Sequence, residues 1–118
     1  MSSEKKMSDY NNSLEIYLAE KLKSIDKYAR KTRGSGCGSE IADISNSFFY
    51  IEAKRKLTKD NIIVDYKKEW LKLLSEMPIN TLKIPFMAVE NKQRKKFIIL
   101  DADDFFEICN KAYGEKNG

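Results

Sequence analysis

The chain of 118 residues is 42% hydrophobic and 34% charged, with 22 Lys+Arg against 18 Asp+Glu, a formal net charge of +4 and no histidine. This length suits one domain with a modest core; it excludes a second domain, a propeller or a TIM barrel, and the apolar content excludes wholesale disorder. Without histidine there is no Ser–His or Cys–His hydrolase, no His-ligated zinc site and no nuclease with a His base, so hydrolytic chemistry must run on carboxylates, lysines and a hard metal.

The polar start, MSSEKKMSDYNN, shows no signal-peptide pattern, and residues 1 to 8 read as a frayed tail. Residues 9–114 read as one domain and 115–118 as a short C-terminal tail. From Tyr10 to Tyr28 the spacing of Leu14, Leu18, Leu22 and Ile25 predicts a helix. Residues 29–33 suit a short strand, and the run Gly34-Ser35-Gly36-Cys37-Gly38 a loop. Ile41 to Ile44 and Phe48 to Lys54 read as two strands of a hairpin, turned at Ser45-Asn46-Ser47. Tyr66 to Met77 is helical again, with Trp70, Leu73, Leu74 and Met77 on one stripe and Pro78 as its stop. Ile84 to Val89 is a continuous apolar run that suits a buried strand, although Pro85 is unusual inside one. A strand from Phe97 to Leu100 and a helix from Asp101 to Tyr113 complete the chain, the helix carrying Phe105, Ile108, Cys109 and Ala112 on one face. The order αβββαββα predicts an α/β (α+β) fold in which helices flank a mixed central sheet. No apolar run approaches the roughly 18 residues of a membrane-spanning helix.

Cys37 and Cys109 are far apart and form no CxxC, so neither a disulfide scaffold nor structural zinc is expected, and a reducing cytoplasm is. Positive charge is clustered. Lys23, Lys27, Arg30, Lys31 and Arg33 form one group, Lys54, Arg55, Lys56 and Lys59 a second, and Lys92, Arg94, Lys95 and Lys96 a third. Such grouping fits a polyanionic partner.

Four acid-x-Lys triplets occur, beginning at Glu4, Glu52, Asp65 and Glu90, where chance alone predicts about three. Only position can choose among them. Glu4 lies in the tail, Asp65 at a helix entrance and Glu90 at the polar end of a strand leading into a turn. Glu52-Ala53-Lys54 instead ends the apolar strand Phe48-Phe49-Tyr50-Ile51. Strand alternation puts Phe48, Tyr50, Glu52 and Lys54 on one face, with Glu52 and Lys54 roughly 7 Å apart. Across the turn, Asp43 falls near Glu52. Two carboxylates that close repel, which raises one pKa unless a divalent cation bridges them, and oxygen ligands alone select Mg²⁺ or Mn²⁺. Lys54 then lies beside that site. For a third acid the first helix offers two. On a helical wheel Glu15 lies on the border of the leucine stripe, roughly 100° from Leu14, and Glu20 almost opposite it, at roughly 240°. Glu15 can face the sheet; Glu20 faces water.

Leu14-Glu15, Arg33-Gly34-Ser35-Gly36, Ala42-Asp43-Ile44 and Ile51-Glu52-Ala53-Lys54, in that order, resemble the core of PD-(D/E)XK nucleases. Within that superfamily they most resemble the archaeal-type and phage Holliday junction resolvases. The resemblance covers residues 13–56 well and the rest more loosely; Ala42 stands in the usual proline position, and Lys67 and Lys68 stand where many relatives have glutamine. It implies a restriction-endonuclease-like core and metal-dependent hydrolysis of DNA phosphodiesters. Glu15, Asp43 and Glu52, with the main-chain carbonyl of Ala53, would hold one or two Mg²⁺, for which Mn²⁺ could substitute. Lys54 would orient the attacking water or stabilise the transition state. Ser35 in its glycine loop would donate to a phosphate, and Arg30, Lys31, Arg33, Arg55 and Lys56 would contact the DNA backbone. Branched or duplex DNA is the implied partner, in a bacterial or phage-infected cytoplasm. Two symmetric cuts in a four-way junction favour a homodimer built on the Trp70 helix or the last helix.

Other readings remain open on sequence alone. An RNase H-like resolvase also uses clustered acids, but needs no lysine on the strand. A flap, nick or duplex nuclease on the same core, or a catalytically inactive DNA-binding module, shares most of these features. An interaction protein could present Trp70, Phe105 and Phe106. Asp101, Asp103 and Asp104 resemble a second metal cluster, but at a helix start they are expected to cap it.

Overall fold

In the computed structural model, which describes residues 13–32 and 43–114, Leu14, Leu18 and Leu22 form the buried stripe of the first helix, α1 (Ser13–Leu22), together with Ala19. The helix ends well before the expected Tyr28. Asp26 accounts for this, because its carboxylate accepts hydrogen bonds from the Tyr28 amide (3.0 Å) and the Ser47 amide (2.7 Å). The first bond turns the chain locally and the second anchors it to a distant segment, and both compete with continuation of the helix. Ile25 therefore leaves the leucine stripe and is exposed.

The next two strands, β1 (Arg30–Lys31) and β2 (Ile44–Ser45), pair antiparallel with each other. The expected hairpin ladder between β2 and the following strand is replaced by this one, extended where Thr32 donates twice to the Asp43 carbonyl, each at 3.1 Å. The predicted glycine loop, with Arg33, Ser35, Cys37 and Ala42, lies outside the described residues, as do the two tails. The turn after β2 is where it was expected. Buried Asn46 accepts from the Phe48 and Phe49 amides at 2.9 and 2.7 Å and donates to the Phe49 carbonyl at 2.9 Å. One amide side chain thus replaces the backbone bonds of a regular turn.

The main sheet has the order β3 (Phe49–Arg55), β4 (Ile84–Glu90), β5 (Lys96–Ile99), with β3 parallel and β5 antiparallel to β4. β4 is the continuous apolar strand because both of its faces are covered. Phe86 and Ala88 face Leu14, Leu18, Leu22, Ile44 and Ile51. Met87 and Val89 face Tyr50 and Leu73, with Trp70 and Met77 packed beside them. Pro85 fits for a geometric reason. The Ile84 amide donates to the Phe48 carbonyl (3.0 Å), so position 85 points to the opposite edge, where β5 pairs only from Met87 onward. A missing N–H costs little there.

Leu73 belongs to the second helix, α2 (Leu71–Glu76), which continues a π-helical turn, Tyr66–Trp70. Of its expected stripe, Leu74 points to solvent. Asp65 and Glu69 start the segment reciprocally. Asp65 accepts from the Lys68 amide and Glu69 accepts from the Asp65 amide, each at 2.8 Å. The Tyr50 hydroxyl donates to the Glu76 carbonyl (3.1 Å) and ties the far end of α2 to β3.

The last helix, α3 (Ala102–Tyr113), is capped by Asp101, which accepts from the Asp103 and Asp104 amides. Its apolar face departs from expectation: none of its described residues is buried, and Phe105 and Phe106 are exposed. Ile108 and Ala112 instead line an open groove with Ile25, Phe48 and Leu82. The chain is thus a mixed α+β fold with α1 and α2 on opposite faces of a three-stranded sheet, in the expected element order. Among the described residues, no helix is long and apolar enough to cross a membrane.

Candidate active site

The Asn46 turn lays the chain at Asp43 alongside the outer edge of β3. The Asp43 amide donates to the Ile51 carbonyl (3.1 Å), and Asp43 Oδ2 accepts from the Ala53 amide (2.7 Å). Asp43 is therefore fixed on either side of Glu52, by its amide to Ile51 and by its carboxylate to Ala53. Glu52 shares the Tyr50 face and comes close enough to Asp43 for a side-chain hydrogen bond. Burial, then the Asp43 charge and that hydrogen bond, push the Glu52 carboxyl up to about 7; Lys54 on the same face pulls it down and Glu76 adds to the rise. Near neutral pH the Glu52 carboxyl is accordingly poised to hold a proton.

Glu15 is where the wheel argument puts it. Its side chain is 27% exposed and lies 3.8 Å from Lys31 Nζ, whereas Glu20 is 67% exposed and pairs with Lys23 on the helix surface. Burial and then Asp43 raise the Glu15 carboxyl, while Lys31 and Arg55 lower it. Glu15 lies within range of the Asp43 charge on the α1 face of the sheet, and Glu52 stands on the other. Asp43, at the strand edge, is the acid that both feel. Among the described residues, no group of three or more Asp, Glu or Cys side chains converges as a metal cage. The Asp43–Glu52 pair does suit a hard divalent cation: its donors are oxygens only, and a cation would relieve the repulsion that, after burial, raises Glu52.

The basic residues divide. Arg30 is exposed. Lys31 is engaged with Glu15, Lys56 Nζ lies 2.7 Å from Glu69 Oε1, and Arg55 Nε lies 3.4 Å from Glu90 Oε1. Lys31, Arg55 and Lys56, three of the residues expected to contact the DNA backbone, thus each hold an ion pair within the protein. The Lys56 hydrogen bond holds the Glu69 carboxyl below its usual range despite partial burial, and Lys54 adds to this. Lys67 and Lys68 are exposed at the start of the same helical segment.

Glu90, at the polar end of its strand, is fully buried, and Arg55, Arg94 and Lys96 surround it. Its signal was available: a lone acid ending an apolar strand, between the acid-free runs Lys54-Arg55-Lys56 and Arg94-Lys95-Lys96.

The raised Glu52 carboxyl makes stability depend on pH. Its folded value near 7 exceeds its ordinary 4.5, so across that window the native state binds more protons than the unfolded chain, and stability falls as pH rises. In chelator, Glu52→Gln is expected to raise the melting temperature by a few degrees at pH 8 and to leave it unchanged at pH 4.5. Thermal melts followed by circular dichroism check this; an equal effect at both pH values would show that Glu52 is not held protonated. Compared with family models, curated proteins and solved structures, the chain matches none.

Proposed function

We propose that this chain is a Mg²⁺-dependent DNA endonuclease of the PD-(D/E)XK type, most similar in its motifs to Holliday junction resolvases. The observation that carries the reading is the Asp43–Glu52 pair at the middle of β3, with Lys54 next on the same face. A divalent cation bound to these carboxylates would supply Lewis-acid charge at a phosphate oxygen. The chain's own groups do the rest. The Ala53 amide fixes Asp43, the strand fixes Glu52 at its side, and the Lys54 ammonium orients the attacking water or donates to the phosphate. Exposed Arg30, Lys67 and Lys68 supply charge for the DNA backbone.

Cleavage of a labelled panel in Mg²⁺ tests this: four-way junction, flap, nicked duplex and intact duplex. Preferential paired cuts in the junction are expected; cutting of the flap or nick alone would move the reading to another nuclease on the same core. Within that assay, Glu15→Gln should lower the rate by roughly two orders of magnitude and Glu20→Gln hardly at all, because Glu15 feels the Asp43 charge whereas Glu20 lies on the helix surface. Equal losses would sink the assignment of Glu15.

The second reading is a DNA-binding module without chemistry. The Lys31 ammonium beside Glu15 favours it, since that cation sits on one of the three acids expected to hold metal. Binding without cutting in either Mg²⁺ or Mn²⁺ would select it. For the assembly we favour a homodimer through α3 rather than α2, because Trp70 packs inward while Phe105 and Phe106 lie exposed.

A further inference from the structure

The nuclease reading requires Glu15 to hold one position relative to Asp43, yet Glu15 rides on the first turn of a helix that could pivot on its leucine stripe. A cluster at the end of the sheet restrains it. Glu90 closes β4 with its side chain fully buried, and the register sets Arg55 of β3 and Lys96 of β5 directly beside it. Arg55 Nε lies 3.4 Å from Oε1; Arg94 Nε and Lys96 Nζ lie 2.8 and 3.4 Å from Oε2. From this seat Arg94 reaches α1, its Nη2 donating to Ser13 Oγ at 3.2 Å. Lys96 lies 5.0 Å from the centre of the Tyr17 ring, one turn further along the helix. The cluster therefore grips the same turn that carries Glu15.

The backbone of Arg94 adds an independent observation. Its φ is 66°, in the left-handed region that glycine or asparagine enters at lower cost. The turn itself is already secured by Asn91, whose Oδ1 accepts from the Gln93 and Lys95 amides at 3.0 Å each. Nothing in the turn calls for arginine, so the side chain is the reason for a residue that strains the backbone.

We propose that Arg94 is a positioning residue for Glu15: seated on buried Glu90, its guanidinium ties Ser13, and with it the first turn of α1, to the β4–β5 turn. This rests on the nuclease reading. Three replacements in the full chain separate the contributions. Arg94→Gly removes the guanidinium and relieves the φ, Arg94→Lys keeps the charge but lacks the second nitrogen, and Ser13→Ala removes only the acceptor. The readouts are Mn²⁺ binding by electron paramagnetic resonance, kcat in Mg²⁺, melting temperature, and the metal-free backbone amide signals of Glu15 and Asp43.

Arg94→Gly is expected to weaken Mn²⁺ binding and lower kcat by roughly 10- to 100-fold, as loss of an outer partner of a metal ligand does. Arg94→Lys should not restore either, Ser13→Ala should reproduce part of the loss, and both amide signals should move. Added to Glu15→Gln, the Arg94 change should cost nothing more. A fall in melting temperature with kcat, Mn²⁺ binding and amide signals unchanged overturns the proposal, as does an equal loss in the Glu15→Gln background. If Arg94→Gly fails to fold, Ser13→Ala decides alone by the same readouts. If the wild-type chain neither binds Mn²⁺ nor cuts DNA, the nuclease reading fails, and the amide signals still judge the tie: movement at Glu15 and Asp43 upholds it, and silence there overturns it.

Discussion

Glu52→Gln and Asp43→Asn should each lower DNA cleavage in Mg²⁺ by roughly three orders of magnitude while leaving DNA binding intact. Both replacements are close to isosteric, and the carboxamide that replaces Asp43 keeps an oxygen able to accept from the Ala53 amide, so the strand edge should hold its geometry. What disappears is the anionic charge that would hold a cation against the phosphate. Binding should tighten slightly, since one negative charge fewer faces the DNA backbone. Lys54→Ala should stop cleavage to a similar degree with little change in melting temperature, because the lysine is only half-buried at the strand end. Quenched-flow or gel-based single-turnover assays at saturating Mg²⁺, run beside melts of the same preparations, make the comparison. Cutting at the wild-type rate by either carboxylate variant would remove the basis for the proposed chemistry.

The largest expected effect on stability lies elsewhere. Glu90→Ala should destabilise the fold by about 3 kcal/mol, the low end of what breaking a buried ion pair costs. The removed carboxylate leaves Arg55, Arg94 and Lys96 facing one another at the end of the sheet. The low end applies because Arg94 and Lys96 reach solvent and can rehydrate. Burial pushes the Glu90 carboxyl up, but the Arg94 hydrogen bond and the charges of Arg94 and Lys96 outweigh it and hold it below its usual range. The contribution is therefore complete above the ordinary glutamate value and is lost as pH falls through the depressed one. Urea unfolding at pH 7 and at pH 3 should show a large gap between wild type and variant at the first and a narrower gap at the second. Coincident curves at pH 7 would mean that the three cations need no counter-charge.

How far the sequence carries depends on whether a residue's partner is near it in the chain. Leucine spacing located α1, and alternation in Phe49–Arg55 assigned the two faces of β3, because each pattern repeats within one element. Asp43 and Glu52 were legible as a pair because a turn at Asn46 brings them together over nine positions. Where partners are distant the reading falls short. Asp26 ends α1 through an amide 21 residues away, and Glu90 meets Arg55 across 35. Neither partner is written in the local pattern. The side on which Glu15 approaches was hidden for the same reason, since α1 and Glu52 occupy opposite faces of one strand. The stripe on α3 was read correctly as apolar, but periodicity says which residues share a face and not whether anything covers it.

The way Asp43 grips β3 bears on how the sheet meets other molecules. An open strand edge offers unpaired donors and acceptors on which a foreign strand can grow. β3 is an edge of the three-stranded sheet, and along it the Ile51 carbonyl and the Ala53 amide are both taken up by Asp43, one by its backbone and one by its carboxylate. The opposite edge, β5, is only four residues long and begins with Lys96. Asp43 therefore acts as a stopper against strand addition as well as crowding Glu52. The same side chain that helps raise the Glu52 carboxyl keeps a copy of the chain from zipping onto the β3 edge.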